Sequence, residues 1–278
     1  MPPRRQPTAR QQRFGAELRK LREAAGYKAT EAAALLGVNS VQMSQIESGV
    51  AGVSEERLRR LVAHYACADD ELIAALVTMC TERTRGWWEE YRGQLPTSFL
   101  DLAELEHHSA YRWDVDFLRV PGLLQTEDYA RALFSYVNPE LPKQEIDRWV
   151  EHRMRRRVIV ERTDAIPYET VVHEAALRIR VGDRTQARAQ LVRIMELSEA
   201  DHVTVRVIPF GGADSAVVYA GGPVRALDTV VRDGPHGTVF VDAAAQLLRY
   251  RTLFRRLETV ALDPGRSRAF IHRLAKEL

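Results

Sequence analysis

The chain has 278 residues, 45% of them hydrophobic and 28% charged, enough apolar material for one large or two ordinary packed domains. No apolar run approaches the roughly 20 residues that span a bilayer, and "MPPRRQPTARQQR" lacks the apolar centre of a secretory signal, so no membrane-spanning helix is expected and a cytoplasmic protein is. The formal charge is only +2, but it is unevenly placed.

Residues 1–30 hold eight Lys or Arg against Glu17 and Glu23, whereas residues 81–278 hold 29 basic and 29 acidic residues. A basic, flexible arm over residues 1–10 suits the phosphate backbone of a nucleic acid. A solubilising tail is the competing reading. Phe14, Leu18, Leu21 and Ala25 then recur at i, i+4, i+7 and i+11, one face of an amphipathic helix from about Gln11 to Ala25, stopped by Gly26. Thr30 is placed to cap a second helix through Leu36, with Glu31 in its first turn. Gly37 ends that helix where a positive φ costs least, and Asn39 caps a third from Ser40 to about Ser48. Small Ala33 allows close approach, while Ala32, Leu36, Val38, Met43 and Ile46 fall where both helices must bury side chains against the first. Ser40, Gln42, Ser44 and Gln45 point the other way, either into solvent or towards base edges. Ser54 caps a fourth helix bearing Leu58, Leu61 and Tyr65, and a fifth begins near Asp69 or Asp70 with Leu72, Ile73, Leu76 and Val77 facing inward. Cys67 and Cys80, the only cysteines, lie in these apolar patterns and read as small buried hydrophobes, so no disulfide, metal or cofactor is expected.

Residues 11 to about 77 resemble the helix-turn-helix of lambda-repressor-like regulators of the xenobiotic-response-element type. The resemblance implies that the third helix enters the major groove of double-stranded DNA, with Ser40, Val41, Ser44 and Gln45 facing the bases. Gln45 suits bidentate pairing with adenine, and Val41 suits a thymine methyl. It also implies an ion pair between Arg22 and Glu47. Backbone or supporting contacts are expected from Lys28, Thr30, Asn39, Gln42, Ser48 and Gly49. Because the third helix carries no Lys or Arg, a homodimer or the arm "RRQPTAR" is expected to supply the remaining affinity.

From Thr81 the chain becomes aromatic-rich, and a domain boundary is expected at 80 to 85, giving a helix-turn-helix domain over 11–80 and a larger domain over 81–278. In "RVPGLLQTEDYARALF", Pro121-Gly122 forms a turn and Thr126 caps a helix with Tyr129, Leu133 and Phe134 on one face. "YETVVHE", "VTVRVIPF", "AVVYA", "VRALDT" and "GTVFVD" read as strands, with helices near 143–160, 174–181, 185–200, 241–260 and 264–277. This pattern predicts an α+β domain with a mixed sheet behind the all-α five-helix domain.

"RVPGLLQTEDYARALF", "WWEEY" at 87–91, "VVHEAALR" at 171–178 and "RAQLVRIMELSEADHVTVRVIP" at 188–209 are similar to an uncharacterised C-terminal domain of many actinobacterial regulators. His173 beside Glu174, His202 and His236 lack any accompanying HExxH, GxSxG, P-loop or GxGxxG, and Gly211-Gly212 and Gly221-Gly222 read as turns, so no enzyme is expected. His107-His108 and "HRMRRR" at 152–157 read as solvated helix faces. Trp87, Trp88, Trp113 and Trp149 suit a pocket, an interface or plain core. The resemblance implies a small acidic partner encoded nearby, which Arg148, Arg153, Arg155, Arg156 and Arg157, with Trp87 and Trp88, would suit. The leading expectation is a sequence-specific transcription regulator. Its alternative is an antitoxin-like protein that binds a small neighbouring-gene product and uses DNA only for autoregulation, and an enzyme targeted to DNA is the third.

Overall fold

The computed structural model describes residues 6–82, 85–210, 216–234 and 237–278. The chain divides into two compact units, and the division does not fall at residue 80. The first comprises Met1–Arg92, Pro96–Leu105 and Gly222–Asp228; the second comprises Gly93–Leu95, Glu106–Gly221 and Thr229–Leu278.

The first unit is helical: α1 (Ala9–Ala24), α2 (Ala29–Leu36), α3 (Ser40–Glu47), α4 (Glu55–His64), α5 (Asp70–Thr81) and most of α6 (Thr97–His107). Its helices begin where the caps dictate. The backbone N–H of Gln11 donates to Thr8 Oγ1 (3.2 Å) and that of Thr8 to Gln11 Oε1 (3.0 Å), a capping box that starts α1 two residues before the expected Gln11. Ala9 and Arg10 of the expected arm are therefore helical, and Arg10 pairs with Glu82 at 2.8 Å; Arg4 and Arg5 lie outside the described residues. Ser54 and Asp69 cap α4 and α5 through the N–H groups of Arg57 and Leu72. Phe14, Leu18, Ala33, Met43, Ile46, Leu58, Leu61 and Leu76 share one core, with Cys67 and Cys80 half-buried against it.

Besides α6, two stretches outside the expected domain join this unit. "WWEEY" is a 3-10 turn with Trp88 buried at 3% exposure. "VRALDT" is not the expected strand: Asp228, fully buried, accepts from the Gly222 N–H at 3.0 Å, and this closes a loop in which residues 225–227 form a 3-10 turn. Leu227 is buried in the helical core.

The second unit is α+β. It holds β1 (Tyr111–Asp116), α7 (Glu127–Val137), α8 (Lys143–Arg156), α9 (Val158–Glu161), β2 (Tyr168–His173), α10 (Glu174–Arg178), α11 (Arg184–Leu197), β3 (Val203–Ile208), β4 (Val217–Gly221), β5 (Thr229–Gly234), β6 (Gly237–Val241), α12 (Ala244–Val260) and α13 (Pro264–Glu277). The sheet runs β3-β2-β1-β4-β5-β6 and is mixed. β1 pairs parallel with β2 and β2 with β3, whereas β4, β5 and β6 add antiparallel, with Trp113 opposite Tyr219. One face packs Leu124, Tyr129, Leu191, Ile194, Val205 and Ile271; the other packs Val115, Val171, Tyr219, Val230, Leu247 and Phe254.

β1 is the strand that pattern reading passes over. It lies inside the sheet, where a continuous apolar run is the ordinary signature, yet it carries Arg112 and Asp114. Arg112, only 1% exposed, donates from Nε to Asp114 Oδ1 (2.8 Å) and pairs with Glu106. Glu106 also binds Arg156 twice (2.6 and 2.7 Å), and the Tyr168 hydroxyl donates to Asp114 at 2.9 Å. Two buried cations thus face two buried carboxylates, which satisfies charges that burial alone would not tolerate. His236, Gly211 and Gly212 lie outside the described residues. Among those described, no helix is long and apolar enough to cross a membrane.

Candidate nucleic-acid interface

α2 and α3 are joined by a turn in which Gly37 takes φ +65. α3 then begins at Asn39, whose side chain accepts from the Gln42 N–H (2.8 Å) while Gln42 Oε1 accepts from the Asn39 N–H (3.2 Å). This reciprocal cap fixes the first turn of α3 and occupies two of the expected supporting residues. Met43 and Ile46 anchor the inner side of α3, fully and almost fully buried.

The outer side is held open. Ser40, Val41, Gln42 and Ser44 are exposed and Gln45 half-buried, and Val41 keeps 65% of its surface in solvent. Positions i, i+1, i+4 and i+5 of one helix share a face, so Ser40, Val41, Ser44 and Gln45 form a single strip. The Ser48 hydroxyl donates to the Gln45 carbonyl (3.2 Å), and Gly49 follows at φ +77.

Behind the strip, Arg22 and Glu47 form a bidentate ion pair: Nε to Oε1 at 2.6 Å and Nη2 to Oε2 at 3.0 Å, both side chains 8% exposed. Arg22 Nη1 also donates to the Tyr27 carbonyl at 2.7 Å. The hydrogen bond to Glu47 raises the Arg22 pKa above its ordinary value. Burial, with the Glu47 charge second, pushes the neighbouring Tyr65 phenol up to about 12. The pair ties the end of α3 to α1 and so sets the angle of the strip.

Gly15 is what lets α1 approach α3. A Cβ there would lie 2.6 Å from the carbonyl oxygens of Ile46 and Glu47. A glycine inside an apolar helical pattern is the signal that would have found it.

The start of α2 differs from expectation. Thr30 sits exposed inside the first turn, and Lys28 is the cap residue, because the Glu31 carboxylate accepts from the Lys28 N–H at 2.7 Å. Glu31 thus already complements the positive end of this helix, and the exposed Lys28 side chain is the cation beside it.

In the second unit the residues expected to meet an acidic partner separate. "HRMRRR" is not a solvated face: His152 and Arg156 are buried, and Arg156 is committed to Glu106. Burial, reinforced by Arg156, Arg153 and Arg155, holds His152 down at about 3, so it is neutral at physiological pH. Arg153, Arg155 and Arg157 are half-buried and Arg148 is exposed. Trp88 is part of the first unit's interior, and Trp87 packs edge-on to it at 6.1 Å. Trp113 packs on Phe254 (4.9 Å) and Trp149 edge-on to Phe134 (5.3 Å).

Five short helices, a tight glycine turn and an outward polar strip on the third helix define a helix-turn-helix protein, a DNA-binding class, with an α+β unit appended. Residues 13–76 match the family model described as a helix-turn-helix domain. Residues 99–273, more than half of the chain, match the model described as a domain of unknown function (DUF5753), and the chain belongs to that family. No curated protein and no solved structure matches it.

Proposed function

We propose that the protein is a sequence-specific transcription regulator of the lambda-repressor-like type, in which α3 reads the major groove and the second unit responds to a ligand or a small acidic partner. The observation that carries this reading is the strip Ser40, Val41, Ser44 and Gln45, turned outward on a helix fixed by Met43, Ile46 and the Arg22–Glu47 pair. An exposed valine between amide and hydroxyl groups serves no packing purpose in the free chain, whereas a thymine methyl gives it a partner. Since α3 has no Lys or Arg, a homodimer reading two half-sites one helical turn apart supplies the affinity that a single strip lacks.

Footprinting on genomic fragments followed by a salt titration tests it. Affinity should fall steeply as salt rises, and Gln45→Ala should lose about 1–3 kcal/mol of discrimination at one base position while non-specific binding stays constant. Protection at many promoters supports a regulator. Protection at its own promoter alone, with rescue of a toxic neighbour on co-expression, would favour the antitoxin-like reading, and exposed Arg148 is the charge an acidic partner would meet. Absence of any protected site would end both.

A further inference from the structure

Arg153 and Arg157, one turn apart at the end of α8 and just beyond it, differ from the arginines around them. Arg112 and Arg156 face Glu106 and Asp114, Arg131 faces Glu127, and Arg193 pairs with Glu161. Arg153 instead donates from Nη1 to the side chain of Gln125 (2.7 Å) and lies 4.3 Å over the Phe134 ring, and Arg157 donates from Nη2 to the Gln125 carbonyl. Among the described residues neither makes an ion pair, and the Nε atom of each is buried without an acceptor. Asp116 and Asp233 act on Arg153 only through space. Neutral acceptors do not balance a cation half withdrawn from water.

Gly122 lies against these side chains. A Cβ on Gly122 would meet Arg156 Nη1 and Nη2 at 3.7 Å and Arg153 Cζ at 3.9 Å, ordinary contact distances, and Gly122 is not among the positive-φ glycines. Neither strain nor a clash calls for glycine there; its effect is to leave no side chain between the loop and the guanidinium groups. Arg156 engages Glu106 through Nε and Nη2, so its Nη1 corner is turned to the same place. Burial, then Arg156, then Arg119 hold the Arg153 guanidinium below its ordinary pKa, and Asp233 and Asp116 only partly offset them.

We propose that the guanidinium cluster of Arg153, Arg156 and Arg157 beside Gly122 binds the oxyanion group, carboxylate or phosphate, of a small soluble molecule. Planar guanidinium forks match both groups, and side chains drawn back from the surface, two half-buried and Arg156 buried, suit a small group rather than the flat acidic face of another protein. The regulatory meaning of such a site rests on the second unit being the responsive part of a DNA-binding protein; the binding itself does not.

Calorimetry on the full chain tests it, titrating sodium phosphate and sodium citrate separately against sodium chloride at matched ionic strength. Saturable binding is expected for phosphate or for citrate, which tells the two groups apart, and none for chloride. Arg153→Gln should weaken it about ten- to hundredfold, the worth of a charge-assisted hydrogen bond. Gly122→Val should abolish it with an unchanged circular dichroism spectrum. The proposal is overturned if neither anion binds saturably at millimolar concentration, if either folded variant binds like wild type, or if only a polyglutamate peptide binds. A gel shift on the same preparation separates the two readings: anion binding without DNA binding sinks the regulator alone, and DNA binding without anion binding sinks this site alone.

Discussion

Replacing Glu47 with alanine strips Arg22 of its bidentate partner and leaves the guanidinium the Tyr27 carbonyl at 2.7 Å and Glu23 at 3.4 Å. Glu23 is half exposed, so water screens it and it compensates little. Breaking a buried pair by removing one member costs about 3–5 kcal/mol, and the retained carbonyl contact places this variant near the lower end, about 3 kcal/mol. Because the chain has two compact units, a single global melting curve would mix their transitions. Native-state hydrogen exchange resolves them: slow amides of α1 and α3 should lose about a hundredfold of protection, while those of β2 and β3 keep theirs. The double variant Arg22→Met with Glu47→Leu removes both charges and should recover most of the loss, because what destabilises is an orphaned buried cation rather than a missing attraction. If Glu47→Ala costs under about 1 kcal/mol, or if the double variant is as unstable as the two single changes added, the reasoning about this pair fails.

Gly15→Val should force α1 off α3, since its Cβ would stand 2.6 Å from two backbone oxygens; about 2–3 kcal/mol of protection in α3 and operator binding should disappear together, and an unchanged gel shift would contradict this. Glu106→Ala orphans Arg156 and leaves Arg112 only Asp114, and should destabilise the second unit by about 3–5 kcal/mol, read as lost protection in β1 and β2 with α3 unaffected. Burial pushes the Asp116 carboxyl up to about 6 from 3.8. The native state then holds that proton more tightly than the unfolded one, so stability is greatest below about pH 4 and is lost as pH rises through about 6. Asp116→Asn should remove that loss, raising stability near pH 7 by up to about 3 kcal/mol while changing little at pH 4; a difference independent of pH would count against it. Met43→Ala, at a fully buried position, should cost about 2–4 kcal/mol by denaturant titration of the first unit.

The helix-turn-helix was legible because its determinants are local. Asn39, Ser54 and Asp69 act within three residues of themselves, Gly37 acts on its own φ, and the period of Phe14, Leu18, Met43 and Ile46 reports which side of each helix must leave water. The candidate interface follows from the same pattern, since fixing the buried side of α3 fixes the side that remains. Strands β2, β3, β4 and β6 likewise announced themselves by β-branched runs.

What the tertiary structure alone decided is where charge and polarity go inside. Local pattern marks Arg112, Asp114, His152 and Arg156 as surface residues, and it hid β1 for that reason. Their burial depends on partners up to 54 residues away, since Tyr168 meets Asp114 and Arg156 meets Glu106 only after the sheet has assembled. The same holds for residues 222–228, whose place in the first unit depends on Leu227 finding a core built by residues far ahead of it in the chain. Sequence fixes which side chains seek water and which avoid it within a turn or a strand; a buried charge is tolerated only by a counter-charge, and which counter-charge arrives is a property of the fold.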